Sequence, residues 1–440
     1  MRVLREIKEA SKDVKLLWAS VFLRLFAYGL TNQVLTLFLN SIDLTEDKIG
    51  WFMSLTLFGD VLCSYVLTWY ADSWGRRKVL IYGSLMMMLS GIVFSYSENF
   101  HVLLLFAIIG VISPSSNEVG PFKSIEEAMI AHLTPHNKRP EIYSIHGLVG
   151  VVGSALGAIT GGAFVHFLLS SRIASTNLQA YKYVFMLYSV FAFSKVIIMF
   201  SLSKNTELSG HLHEELSSPD ALVSDEMAPL IERFEHPKET SGSLSKETKS
   251  VLFKLLVIFM IDSLGSGFMT DSWMVYYYAK QFLMDHLSLG ILFFITQFAM
   301  ASTTLPSASI SRAFGPVRAI LLVQIPSGIF AILIPFCEKY FSLSVIFLLL
   351  HFATLAMDVT PRQILLTNII RPQDLTRVMG IVNVGKTFSR CVGPIFTGIL
   401  AKQGNLWMCY LVSGVLVIIA DFILAFWFLG IDAKVLQQFQ

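Results

Sequence analysis

Charge is what this sequence has least of. Lys, Arg, Asp and Glu make up 15% of its 440 residues, against 54% hydrophobic residues, and mean hydropathy is +0.63. A soluble chain of this length would be about 25% charged. The formal net charge of +2 excludes a nucleic-acid partner, because phosphate binding needs a clustered excess of Lys and Arg. Cysteine is scarce as well. Cys63, Cys337, Cys391 and Cys409 lie in or beside apolar runs, with neither zinc-type pairing nor a disulfide framework, and read as small buried hydrophobes. Also missing are a nucleophile-elbow serine, metal-ligand spacing and a phosphate-binding glycine loop, so the sequence predicts no enzyme, no ATP-driven pump, no cofactor and no metal. The N-terminal segment lacks a small-residue cleavage site before its first apolar run, so no cleaved signal peptide is expected.

Long hydrophobic runs fill the chain instead. A bilayer core of roughly 30 Å needs about twenty apolar residues per helix, and runs of that order lie near 16–39, 49–71, 79–96, 102–130, 142–169 and 181–202. Six more lie near 251–282, 287–310, 317–336, 341–370, 375–401 and 406–429. The sequence therefore predicts an all-α membrane protein of about twelve transmembrane helices in two six-helix bundles. Its domains are a segment 1–15, bundles 16–202 and 251–430, a linker 203–250 rich in Ser and acidic residues, and a tail 431–440. Arg76, Arg77, Lys78, Lys138, Arg139, Arg312, Arg318, Arg371 and Arg377 all fall in loops of one side, with the linker and both termini. The positive-inside rule makes that side cytoplasmic. The N-terminal segment has apolar residues at roughly helical spacing, which suits either a helix on the lipid headgroups or a frayed tail.

The two halves carry weak echoes of each other. Glu118-Val-Gly-Pro121 and Asp358-Val-Thr-Pro361 align at an offset of 358 − 118 = 240, which also pairs Gly75 with Gly315 and Lys78 with Arg318. The glycine-rich run 157–162 aligns with 393–398 at an offset of 236. Three matches in register argue for duplication, with a binding site expected between the halves.

Asp72-Ser-Trp-Gly75-Arg76-Arg77-Lys78 resembles the D-x-x-G-R-[RK] signature of the major facilitator superfamily, and the likeness extends over nearly the whole chain. The run 157–162, with Ala158 in place of Pro, is similar to the G-P-x-x-G-G motif of its proton-coupled exporters. The resemblance implies two pseudo-symmetric bundles, alternating access, proton coupling and a cytoplasmic gate latched by Asp72, Gly75, Arg76, Arg77 and Lys78. It gives no substrate. The fourth helix lacks the Arg that many proton antiporters of the family carry there, and Lys123 is the candidate substitute.

Charges kept inside hydrocarbon cost about 2.5–3.5 kcal/mol each on insertion scales, and mark either ion-pair networks or sites. Glu118, Lys123, Asp262, Asp358, Arg362, Lys386 and Arg390 are the candidate substrate or proton site. Lys123 and Glu127 can pair at i, i+4. Lys386 and Arg390, one turn apart, repel each other unless carboxylates or an acidic solute lie between them. Pro121 and Pro361 are expected to break their helices and free a carbonyl beside the site. Asp262 and Asp271 would face opposite ways on one regular helix unless Gly265 and Gly267 bend it. Arg24, Asp60, Lys195 and Asp421 are isolated intramembrane charges, either packing partners or functional. His146, His166 and His351 are interior groups or proton relays. Gly157, Gly161 and Gly162 continue a glycine-rich face that lets a neighbouring helix approach closely.

The expected function is secondary transport of a small polar or charged solute, proton-coupled through Glu118 or Asp358. The expected partners are that solute, protons and membrane lipids, and the expected state is a monomer. A non-transporting receptor or nutrient sensor is the alternative. Residues 226–231 resemble an acidic dileucine sorting signal, which leaves a vacuolar or lysosomal-type membrane and the plasma membrane as the expected locations.

Overall fold

A computed structural model describes residues 10–110, 112, 121–135, 139–207, 246–304, 306–370 and 372–433. Among them are seventeen α-helices. The first six spans are α1 and α2 (Lys12–Asn32, Leu35–Ser41), α3 (Glu46–Trp74), α4 (Arg76–Tyr96), α5 and α6 (Phe100–Ile109, Pro121–Leu133), α7 (Arg139–Ser170) and α8 (Asn177–Phe200). The second six are α9 and α10 (Lys246–Phe268, Asp271–Gln281), α11 and α12 (His286–Thr304, Ser307–Phe314), α13 (Pro316–Phe336), α14 and α15 (Phe341–Ala356, Val359–Ile369), α16 (Pro372–Lys402) and α17 (Trp407–Phe428). Helices α1 and α9 start at Lys12 and Lys246, before the apolar runs. Ser11 Oγ accepts from the Val14 amide at 3.3 Å, a standard N-cap bond.

Ten stretches are long and apolar enough to cross a membrane. The fourth and eleventh spans fall outside that set for physical reasons. The fourth is divided between two short helices, and the eleventh carries Lys386 and Arg390 among its apolar residues.

Glycine sets the distance between spans. A Cβ on Gly157 would stand 2.1 Å from the Phe26 carbonyl oxygen, and one on Gly29 would stand 2.3 Å from that of Ser154, so α1 and α7 cross backbone to backbone. Gly267 and Gly393 do the same for α9 and α16, where a Cβ on Gly393 would lie 2.2 Å from the Gly267 carbonyl carbon. Each half thus repeats one crossing, between its first and fifth spans. Gly157→Ala is expected to destabilise the protein by about 1–3 kcal/mol through overpacking, read as a lowered melting temperature in detergent. Gly147→Ala, where an added Cβ meets nothing within 4 Å, is the control, and equal melting of the two variants would count against the crossing.

The apolar core is divided unequally. One cluster runs through both halves and includes Phe38, Phe185, Trp273, Tyr277 and Leu289. Two others stay within one half each, around Leu17, Phe122 and Ile130 in the first and around Phe259, Val378 and Leu424 in the second. The halves therefore share a core toward the face opposite the chain ends and have separate cores toward the face that carries them.

Polar contacts between the halves follow the same division. Glu46 accepts from Tyr276 Oη at 3.0 Å and from Lys280 Nζ at 2.9 Å, while Asp47 accepts from Lys402 Nζ at 3.2 Å. Thr36 Oγ1 donates to the Ser272 carbonyl at 2.9 Å, and His166 stands 3.9 Å from Asp285. All of these residues lie at or near the ends of spans on the face opposite the termini. Two glycine seams reinforce them: a Cβ on Gly50 would stand 2.4 Å from the Pro394 carbonyl oxygen, and one on Gly162 2.2 Å from that of His286. Toward the other ends of α7 and α16, Gly147 and Gly380 have nothing within 4 Å of an added Cβ.

Candidate functional site

A cavity of about 150 Å³ lies between the halves. The first half contributes Leu25, Val151 and Ser154, and the second contributes Asp271, Gln297, Gln324, His351 and Arg390 among others. Helix breaks shape it. The seventh span is interrupted at Met269 and Thr270, and the freed Phe268 carbonyl is taken by Thr397 Oγ1 at 2.6 Å. Asp271 opens α10 just past this break and lines the cavity, while Asp262, nine residues earlier and half a turn round the helix, turns into the second bundle. The tenth span is interrupted at Met357 and Asp358, four and three residues before Pro361. Proline cannot donate the bond that would carry the helix across that point. Helix α6 starts at Pro121. Glu118 lies outside the described residues.

Arg362 is the centre of the second half. Its Nη1 donates to Asp262 at 2.8 Å, its Nε side forms an ion pair with Asp358, and its guanidinium carbon sits 5.1 Å from the centre of the Phe259 ring. Gln324 Nε2 donates to Asp358 at 2.7 Å, while Asp358 Oδ1 is buried without a hydrogen-bond partner. Lys386 Nζ stands 5.4 Å above the same Phe259 ring, and Arg390 lines the cavity. The structure thus gathers five of the seven candidate charges, Asp262, Asp358, Arg362, Lys386 and Arg390, into one region. Asp421 is buried nearby at 2% exposure. His351 lines the cavity and contacts Ser327 at 3.0 Å.

Lys123 does not join this group. It is exposed on α6 and is absent from the cavity lining, and among the described residues no ion pair links it to Glu127. The buried charge of that helix is Glu126. Arg24 Nη2 bonds its Oε2, Ser20 Oγ donates to its Oε1 at 2.8 Å, and Lys195 Nζ lies 3.7 Å from Oε1. Phe122 completes the group, with Lys195 Nζ 3.7 Å and Arg24 Cζ 5.3 Å from its ring centre. All three ionic side chains are at most 1% exposed. The signal for Glu126 was in the sequence: Phe122, Ile125, Glu126, Met129 and Ile130 follow one helical stripe and are all buried, whereas Lys123 and Ser124 fall on the exposed side. Arg24 and Lys195, read as isolated charges, are each other's neighbours through that carboxylate. Asp60 is buried and accepts from Ser64 at 3.5 Å.

The loop after the second span turns at Gly75, whose φ of +97° favours glycine, and Gly315 repeats the turn at +85° in the second half. Each turn is followed by a helix whose first amides are held by an acid from beyond the last span of the same half. Glu207 accepts from the Arg76 and Arg77 amides at 2.8 and 3.0 Å. Asp432 accepts from the Val317 and Arg318 amides at 2.8 and 2.9 Å. The anionic group meets the positive helix end in both cases. The Arg77 side chain donates to the Met199 and Phe200 carbonyls at 3.3 and 2.6 Å, which anchors the loop within its own half. The Asp72 side chain and residues 226–231 lie outside what the structure describes.

Two six-span bundles around a shared polar cavity, joined on one face, define a multi-pass membrane transporter. The Major Facilitator Superfamily model matches residues 17–270 and 255–439, and the chain belongs to that superfamily. An uncharacterized membrane protein of Saccharomyces cerevisiae, YJR124C, is 70% identical over 438 residues, 98% of this chain and 98% of that protein. The fold is similar to that of the E. coli xylose transporter XylE in a partially occluded inward-open conformation, with a TM-score of 0.71 at 13% identity over 95% of this chain and 98% of that one. A bacterial homolog of the human lysosomal transporter Spinster, inward-facing and unoccupied, gives a TM-score of 0.70 at 15% identity over 98% and 99%. At these identities the two structures speak to the fold alone.

Proposed function

We propose that the protein is a secondary active transporter that moves a small polar or charged solute by alternating access, coupled to protons through Asp358 with Glu118 as the second candidate. The observation that carries this reading is the cavity shared by both halves together with contacts that join them on one face. A solute entering from the termini's face would reach Arg390 and Asp271 and leave after the Glu46 and Asp47 contacts part. Asp358 suits a proton carrier because Arg362 and Gln324 hold one of its oxygens while the other has no partner. A proton arriving there would weaken its hold on Arg362, and this charge change is what a carrier must convert into movement. The termini and linker lie on the cytoplasmic side in this reading, by the distribution of Lys and Arg. The membrane is of vacuolar, lysosomal or plasma type, and the dileucine-like segment favours the first two.

Spin labels at the exposed Ser171 and Leu283, one on each half, are expected to give two distance populations in liposomes. A single population under every pH and solute condition would count against alternating access. Gradient-driven uptake or efflux by reconstituted protein is expected to lose its pH dependence in Asp358→Asn. If Asp358→Asn and Glu118→Gln both transport like the parent, the coupling assignment is wrong.

A further inference from the structure

The ion pairs of the second half leave a remainder. Arg362 engages both Asp262 and Asp358 in contact, which leaves the two cations of α16 only the longer-range attraction of these carboxylates. Among the described residues, no ion pair within 4.0 Å involves Lys386 or Arg390. Lys386 faces the ring of Phe259, which offers a π surface but no negative charge. Arg390 lines the cavity, and its Nε is buried without a hydrogen-bond partner. Gly267 and Gly393 fix its position, because α9 and α16 meet there by their backbones and a Cβ on Gly267 would stand 2.5 Å from the Arg390 carbonyl oxygen.

The other acids nearby do not fill the gap. Asp421, on α17, is buried with Oδ2 lacking a partner and makes no ion pair with either cation. Asp271 lines the cavity with Arg390 and attracts it from a distance, but among the described residues it makes no contact ion pair with it. Apart from His351, the remaining lining carries no ionisable side chain: Gln297, Gln324, Ser154 and Ser413 offer hydrogen bonds, while Met269, Met274, Met300 and Phe352 offer apolar wall.

We propose that the solute bound in this cavity is a small organic anion whose carboxylate, or a group of equal charge and shape, pairs with Arg390, while its apolar body lies against Met269, Met274, Met300 and Phe352. The planar guanidinium suits a flat two-oxygen acceptor better than a point charge would. Lys386 lies one turn closer to the termini's face and draws the anion inward. The proposal rests on the transporter reading only in taking this cavity as the solute site.

The test compares probes of one shape and different charge on the purified full chain in detergent. The probes are benzoate, benzamide and benzylamine, and hexanoate, hexanamide and hexylamine. The carboxylates are expected to raise the melting temperature in a saturable way, and the amides and amines are not. Arg390→Gln is expected to abolish that protection and Arg390→Lys to weaken it. Without ligand, Arg390→Gln is expected to melt no lower than the parent, because it removes a desolvated charge with no counter-ion in contact. A structural role for Arg390 would lower that melting point. The assignment is overturned if no carboxylate protects, if amides or amines protect equally, if Arg390→Gln still responds to benzoate, or if ligand-free Arg390→Gln is unstable or fails to fold. Carboxylate protection that depends on Arg390 but comes without flux in vesicles would keep the anion site and remove the transporter reading. Flux of a neutral or cationic solute would do the reverse.

Discussion

Replacing Glu126 by glutamine is expected to lower the stability of the protein by about 3–5 kcal/mol, the usual result of removing one member of a buried ion pair. The loss comes less from the attraction removed than from what stays behind. Arg24 and Lys195 are at most 1% exposed and share that one carboxylate, so the variant keeps two cations in a low-dielectric interior without the negative charge that balances them. Thermal unfolding of the purified variants in detergent checks this. Glu127→Gln, on the same helix but making no ion pair among the described residues, is expected to change stability by no more than about 0.5 kcal/mol. Adding Lys195→Met to Glu126→Gln is expected to restore part of the loss by removing one of the stranded charges. Equal melting of Glu126→Gln and Glu127→Gln would sink the account.

Arg362→Gln is the second large effect, again about 3–5 kcal/mol, and here transport is lost as well. The variant leaves Asp262 and Asp358 facing each other without the guanidinium that bridges them. Arg362→Lys is expected to rescue poorly, because one ammonium cannot lie between two carboxylates as the broad planar guanidinium does. The contrast with Arg390 is the informative part. Both are half-buried arginines of the same half, yet removing the one in contact ion pairs should cost stability and removing the one with no counter-ion in contact should not. Melting curves of Arg362→Gln and Arg390→Gln, recorded side by side without ligand, decide the matter: if both fall alike, the two arginines are equivalent structural groups.

Hydropathy runs and their boundaries made the fold legible, since a membrane span is a local property of about twenty consecutive residues. Turns and breaks were legible for the same reason: Gly75, Gly315 and Pro361 act through their own backbone. Pairing was not local, so it was less legible. Arg24 meets Glu126 across 102 residues and Arg362 meets Asp262 across 100. Composition says only that each such charge needs a partner. Where a local rule bore on the choice, as in the helical stripe that contains Glu126 and leaves out Lys123, spacing pointed to the buried residue. The expected i, i+4 pair with Glu127 pointed away from it. The opposite facing of Asp262 and Asp271 was legible in their nine-residue spacing, whereas the break at Met269 and Thr270 was not, because no proline announces it.

The seams at Gly50 with Gly398 and at Gly162 with Gly290 have a thermodynamic side. Where two bundles meet through glycine, the contact has no rotamers to order when it forms or release when it parts, whereas a long charged side chain gives up about 1.5–2 kcal/mol of rotational freedom. Along these seams the ordering cost of joining the halves falls on the rim, in Lys280 and Lys402 reaching Glu46 and Asp47. The glycine contacts themselves close nearly free of side-chain entropy.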